Sequence, residues 1–161
     1  MKLKSGVICI IVLALLNITM AVVAAGNDID EYRSCSNCGM DRKAYGYSRM
    51  LISYKDGTKS GVCSLHCAVT DIDAKKGRDP ASMMVADRDT RSLIDVEKAI
   101  WVVGGKKRGV MTQRAKWAFA TKAAAQSFVD SNGGKITGWD EALLAAREDT
   151  ASPGGVKKKP D

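Results

Sequence analysis

The sequence predicts an α+β fold made of two β-β-α-β repeats, and three observations predict it. A hairpin signal leads into a helix with a single apolar stripe between Met50 and Gly77. Four residues of that hairpin, Gly61-Val62-Cys63-Ser64, are echoed forty-eight positions later by Gly109-Val110-Met111-Thr112. The order strand, strand, helix, strand then recurs. A chain of 161 residues with 45% apolar and 27% charged residues has the composition of one ordinary or two small water-soluble domains. Aromatics are only 6%, so the core leans on Val, Ile, Leu, Ala and Met and calls for a staple such as a metal or disulfides.

Lys2 and Lys4 precede an apolar run from Gly6 to Ile18, and Val23-Ala24-Ala25 has the small residues of a signal-peptidase site. Residues 1–25 are therefore expected to be a signal peptide, which takes Cys9 with it, and the protein is expected in the periplasm or another extracytoplasmic space. The competing expectation is an uncleaved membrane tether, because the segment approaches the roughly 20 residues that span a bilayer. Residues 26–34 read as a linker.

The first repeat is placed at 35–90. Met50–Tyr54 is a β-prone apolar run, Asp56-Gly57 a turn, and Thr58–Cys63 the returning strand. Ser64 is a helix cap, Leu65, Ala68, Val69 and Ile72 form the stripe, Gly77 ends the helix, and Met83–Ala86 is the third strand. The second repeat is placed at 91–150. Ala99–Val103 and Gly109–Thr112 form its hairpin around Gly104-Gly105, and Thr121 caps a helix carrying Ala124, Ala125, Phe128 and Val129. Gly133 stops that helix, Lys135–Thr137 closes the unit, and a helix at Asp140–Arg147 follows. On this alignment the second unit has extra residues, Trp117 and Phe119 among them, between its hairpin and its helix. Residues 151–161, with Lys157-Lys158-Lys159, read as a disordered basic tail.

The formal net charge is +7, and about +5 once Lys2 and Lys4 are removed. The basic residues outside the tail are scattered among acids rather than gathered with aromatics, which argues against nucleic acid as a partner.

The cysteines carry the chemistry. Cys35-x2-Cys38 and Cys63-x3-Cys67 are two close pairs, one in a loop and one where a hairpin enters a helix, a spacing that lets four thiolates converge on one ion. The helix N-terminus is expected to favour thiolate at Cys63 and Cys67. Zinc and Cu(I) both suit sulfur ligands. The alternative is two disulfides in an oxidising compartment, although such tiny loops stabilise little in the chain-entropy model. His66, the only histidine, is a further candidate ligand beside the pair or a half-buried bystander. Met40 follows Cys38 in Cys-Gly-Met, and Met111 takes the place of Cys63 in the echo; a thioether would favour Cu(I) over zinc. Met50, Met83 and Met84 read mainly as packing. No G-x-S-x-G frames a nucleophile, and Asp71 and Asp73 read as solvated helix residues, so no catalytic residue is assigned.

Cys35-Ser36-Asn37-Cys38-Gly39-Met40, Asp56-Gly57, Gly109-Val110-Met111-Thr112, Ala118-Phe119 and Gly133-Gly134 together resemble the NosL family, exported copper-binding accessory proteins of nitrous-oxide reductase. The resemblance spans nearly all of Cys35 to Glu148. It implies a duplicated β-β-α-β fold similar to that of organomercurial lyase, and a Cu(I) site using Cys38 and Met111 with Cys35 and Met40 as neighbours. Cys63-Ser64-Leu65-His66-Cys67 departs from that pattern and is similar to the second half of small heavy-metal modules of the YHS and TRASH type. The expectation is a non-enzymatic Cu(I) metallochaperone that takes copper from an upstream donor and hands it to a client cuproenzyme, nitrous-oxide reductase above all. The alternatives are a structural four-cysteine zinc module that mediates protein interaction, and an enzyme of organomercurial-lyase type.

Overall fold

A computed structural model of the chain describes residues 28–151. The expected signal peptide, and the expected tail from residue 152 onward, lie outside them. The described residues form two antiparallel sheets and four helices. None of these helices is long and apolar enough to cross a membrane.

The first sheet contains β1 (Met50–Tyr54), β2 (Lys59–Val62), β3 (Pro80–Ala86) and β4 (Leu93–Asp95), in the order β2-β1-β3-β4. Alternate residues of β1, namely Met50, Ile52 and Tyr54, are buried, the period of two that a one-sided sheet requires. Before this sheet stands a one-turn helix, α1 (Asp28–Glu31), inside the stretch read as a linker. Between β2 and β3 runs α2 (Leu65–Ala74), where Ser64 is the N-cap and its Oγ accepts from the Cys67 N–H at 3.5 Å. Leu65, Ala68 and Val69 are buried as the stripe requires, and the helix ends at Ala74 with Lys75 as its C-cap, two residues before Gly77.

The second sheet has the order β6-β5-β7, from β5 (Ile100–Val103), β6 (Lys116–Phe119) and β7 (Lys135–Thr137), with α3 (Lys122–Asn132) between β6 and β7. Thr121 caps α3 as expected, with its side chain accepting from the Ala124 N–H. Each sheet thus contains strand, strand, helix, strand, and the duplication is consistent with this topology; β4 is an addition at the edge of the first.

One alignment is corrected. Gly109–Thr112 is not a strand: the partner of β5 is Lys116–Phe119, in the register Ile100 to Phe119 and Val103 to Lys116. The insertion therefore lies inside the hairpin loop, before β6, and Trp117 and Phe119 belong to the strand itself. Aligned on the helix caps Ser64 and Thr121, the counterpart of Cys63 is Ala120, and Met111 sits in the loop with a left-handed backbone, φ 53°.

Helix α4 (Trp139–Ala151), longer at both ends than expected, packs on α2 and on β5. Its Ala142 and Ala146 share one core with Met50, Ile52, Val62, Val69 and Trp101. The Trp101 ring lies 5.6 Å from that of Trp139 and donates its indole N–H to Val96 O at 2.9 Å. Alternate residues of the second sheet face a smaller core, where Val102, Trp117 and Phe119 meet Ala125 and Phe128 of α3. Trp117 and Phe119 are thus strand residues of that core.

Candidate metal centre

The two cysteine pairs arrive from different directions. Residues 34–41 form a tight loop: Ser34 bridges Asp41, Cys35 N donates to Met40 O at 2.8 Å, and Gly39 N donates back to Cys35 O at 2.9 Å. Gly39, at φ 75°, supplies the left-handed residue this loop needs. Cys63 directly follows β2, and Cys67 lies in the first turn of α2.

All four Sγ atoms lie within 4.8 Å of one another. Cys38 and Cys63 are 3.5 Å apart, and Cys63 and Cys67 3.6 Å. None of the four is in a disulfide. Sulfurs held at about 2.3 Å from a tetrahedral ion stand roughly 3.8 Å apart, so this spacing suits a metal with only small adjustment. Cys35, Cys63 and Cys67 are buried, and Cys38 alone is half-buried.

Charge is unevenly shared among the thiols. Hydrogen bonds from Cys63 and Cys67, aided by the N–H groups of Cys38 and Asn37, hold Cys35 far below the usual thiol range. Cys63 is driven up by its bonds to Cys35 and Cys67 and by burial. Cys67 is pushed up to about 12, first by its bond to Cys35. The expectation of thiolate at Cys63 and Cys67 from the helix N-terminus is opposed there by burial and by the neighbouring thiols, which raise both pKa values.

The surrounding residues fasten the two halves together. Arg42, fully buried, ends the cysteine loop and donates from Nε to Val62 O (3.2 Å) and from Nη2 to Met50 O (2.9 Å). The same guanidinium donates to Tyr32 O (2.5 Å), Asp28 O (2.9 Å) and Asp28 Oδ2 (2.7 Å). Arg49 forks onto the same carboxylate at 2.8 and 3.0 Å. Gly61 leaves room for this: a Cβ there would run into Tyr32 Cβ and come within 2.7 Å of Arg42 Nη1. Asp71 is the second fastener. It is 6% exposed, not solvated, and accepts from Tyr54 Oη (2.6 Å), Ser36 Oγ (3.2 Å) and Lys75 Nζ (3.1 Å). Ser36 lies beside Cys35 and also donates its N–H to Gly61 O at 2.9 Å. Burial would raise the Asp71 pKa, but the Tyr54 and Lys75 hydrogen bonds hold it below the usual carboxylate range. Asp73, in contrast, is exposed and pairs with Arg147 of α4.

Of the residues selected from sequence, the structure brings Cys35, Cys38, Cys63 and Cys67 into one group. His66 is not in it. Its Nδ1 is buried without a hydrogen-bond partner among the described residues, and burial, with the nearby Lys116 charge, keeps the imidazole neutral to lower pH than usual. Met40 and Met111 are half-buried and pack against the same core as the cysteines. Sequence reasoning missed Asp28, Arg42 and Arg49, since a buried charge has no periodic signature. Asp71 carried one signal: it stands three residues from Ala68 on the helix, hence on its buried face.

Comparison with curated proteins returned no match. Among solved structures, the chain is similar to the crystal structure of the copper chaperone NosL from Shewanella denitrificans, with 22% identity and a TM-score of 0.56 over 70% of this chain and 91% of that one. The likeness at that identity is one of fold. The NosL family model matches residues 27–144, which include both sheets and all four clustered cysteines. The chain belongs to the NosL family.

Proposed function

We propose that this protein is a copper chaperone, not an enzyme, that carries Cu(I) on its clustered thiols outside the cytoplasm and passes it by ligand exchange to a cuproenzyme, nitrous-oxide reductase being the client the family resemblance implies. The observation that carries this reading is the convergence of four thiols on the fold of a copper-chaperone family. Soft thiolates select Cu(I) or zinc over hard cations. A chaperone must also release its metal, and the half-buried Cys38 offers an incoming ligand a point of attack that the three buried thiols do not. Met40 and Met111, at the margin of the same core, are candidate soft donors for a metal in transit.

One observation favours a second reading. Three of the four thiols are fully buried, as in a closed structural zinc site, which would serve an interaction module. Titration of the reduced protein with Cu(I) against a competing Cu(I) chelator, beside thermal unfolding with and without a zinc chelator, separates the two. The chaperone reading expects tight binding of one Cu(I), transfer to an acceptor chelator on mixing, and a fold that survives zinc removal. Unfolding on zinc removal, with weak competition by copper, would overturn it.

A further inference from the structure

On another part of the surface, a cavity of about 380 Å³ is lined by Arg88, Arg91, Lys107 and Arg108 together with Tyr47 and Trp117. Its volume lies at the lower end of the range for small-molecule sites. Four cations meet there, and the one acid on the wall, Asp89, is already paired with Arg88 at 2.5 Å. Arg91, Lys107 and Arg108 form no ion pair among the described residues. Like charges gathered without counter-charges repel one another, a cost that an anion between them would remove.

A further feature shows that this is more than a chance meeting of exposed cations: the arginines are held in place. The turn carrying them is pinned by buried Asp87, whose Oδ2 accepts from Thr90 N (3.1 Å) and Thr90 Oγ1 (2.6 Å) and whose Oδ1 accepts from Ala120 N in the second repeat (3.1 Å). Arg91 takes a left-handed backbone, φ 64°, and its carbonyl accepts from Arg49 Nη1 at 2.8 Å. A non-glycine residue keeps such a conformation only where its surroundings impose it. The Arg88 guanidinium lies over the rings of Trp117 and Phe128, at 5.8 and 4.7 Å from their centroids. Stacking fixes the plane of the guanidinium, whose Nη1 is held by Asp89, so the cations without a counter-charge are Arg91, Lys107 and Arg108.

We infer that this cavity binds a small, multiply charged oxyanion ligand, a polycarboxylate or a phosphate ester, at a site separate from the thiol cluster. Guanidinium forks recognise carboxylate and phosphate alike, so the chemistry shared by the two is what the geometry selects. The half-buried Tyr47 ring, backed by the buried Trp117 with ring centroids 5.9 Å apart, gives the uncharged body of the ligand a surface to rest on.

The test is isothermal titration of the metal-free protein with citrate and with pyrophosphate, at constant ionic strength near 0.15 M in NaCl. Saturable one-site binding of at least one of them is expected. It should weaken at least tenfold in the double variant Arg91→Gln/Arg108→Gln, whose altered side chains are exposed and leave the fold intact, while Cu(I) uptake by the cysteines stays unchanged. Three results would overturn the inference: no binding of either anion, equal binding by the wild type and the double variant, which would mean general attraction to a basic chain, or binding of a hexaglutamate peptide alone, which would make the cavity a protein-docking surface.

Discussion

Asp28→Asn removes the single negative charge that two buried arginines share. Arg42 is fully buried and Arg49 nearly so, and the carboxylate between them is 7% exposed. Asparagine has the same shape and retains an acceptor oxygen, so the substitution changes charge with little change in packing. Removing one partner of a buried ion pair costs about 3–5 kcal/mol, because the remaining charge stays desolvated without compensation. Here two cations are left, which places the expected loss at the upper part of that range. Total stabilities of about 5–15 kcal/mol make this a large fraction. At roughly 3 °C per kcal/mol for a domain of this size, the melting temperature should fall by about 10–15 °C. Thermal unfolding of reduced, metal-free protein followed by circular dichroism measures it, with Arg33→Ala as a control. Arg33 pairs with Asp41 at 3.4 Å on the surface, where both are well exposed, and such pairs contribute about 0–1 kcal/mol. A drop below about 3 °C in Asp28→Asn, or an equal drop in the control, would refute the reasoning.

Acidification should weaken the fold in two stages. Burial and the Lys116 charge depress the His66 pKa, so the unfolded chain takes up a proton first and stability falls as pH drops below about 6.5; His66→Gln should abolish this limb in pH-dependent denaturant titrations. The Asp28, Asp71, Asp87 and Asp149 pKa values are also lowered, so their contribution is present above the ordinary value of 3.8 and disappears as pH falls below it, which should appear as a steep second loss. Asp71→Ala leaves every thiol in place but releases Ser36, and should weaken metal binding at least severalfold in a chelator competition; an unchanged affinity would show that the loop holds itself. Met111→Leu conserves volume and should cost under about 1.5 kcal/mol of stability, so a loss of Cu(I) affinity with the melting curve intact would assign the sulfur to copper, and an unchanged affinity would leave the metal with the four cysteines.

The repeats were legible because their signals are local. Ser64 and Thr121 cap helices by bonding the N–H three residues on, and the apolar stripe of α2 and the alternation of β1 follow from the periods of helix and strand. The site was legible to the extent that cysteine spacing alone can place four thiols near one another. What was not legible depends on long-range competition. Gly109-Val110-Met111-Thr112 looks like Gly61-Val62-Cys63-Ser64, but four residues do not determine which segment pairs with β5. Lys116–Phe119 wins by placing Trp117 and Phe119 in the smaller core and Ala118 in the larger one. Once that strand takes the edge of β5, the residues before it must form a loop, and Met111 adopts a left-handed backbone there. The buried ion network escaped notice for a different reason: Asp28, Arg42 and Arg49 look like surface charges in the sequence, and only the tertiary fold brings them together.

That network also explains how the four thiols are brought together. Four sulfurs near van der Waals contact do not hold themselves together, since a negative charge on one thiol opposes ionisation of its neighbours. The order must come from the backbone on either side. Arg42 binds the carbonyl of Val62, next to Cys63, while terminating the loop of Cys35 and Cys38, and Asp71 reaches from the helix of Cys67 to Ser36, beside Cys35. Each contact joins one cysteine pair to the other, and neither involves sulfur. A metal bound by this cluster displaces thiol protons, so binding should tighten as pH rises. The donors are positioned by contacts that do not themselves involve sulfur.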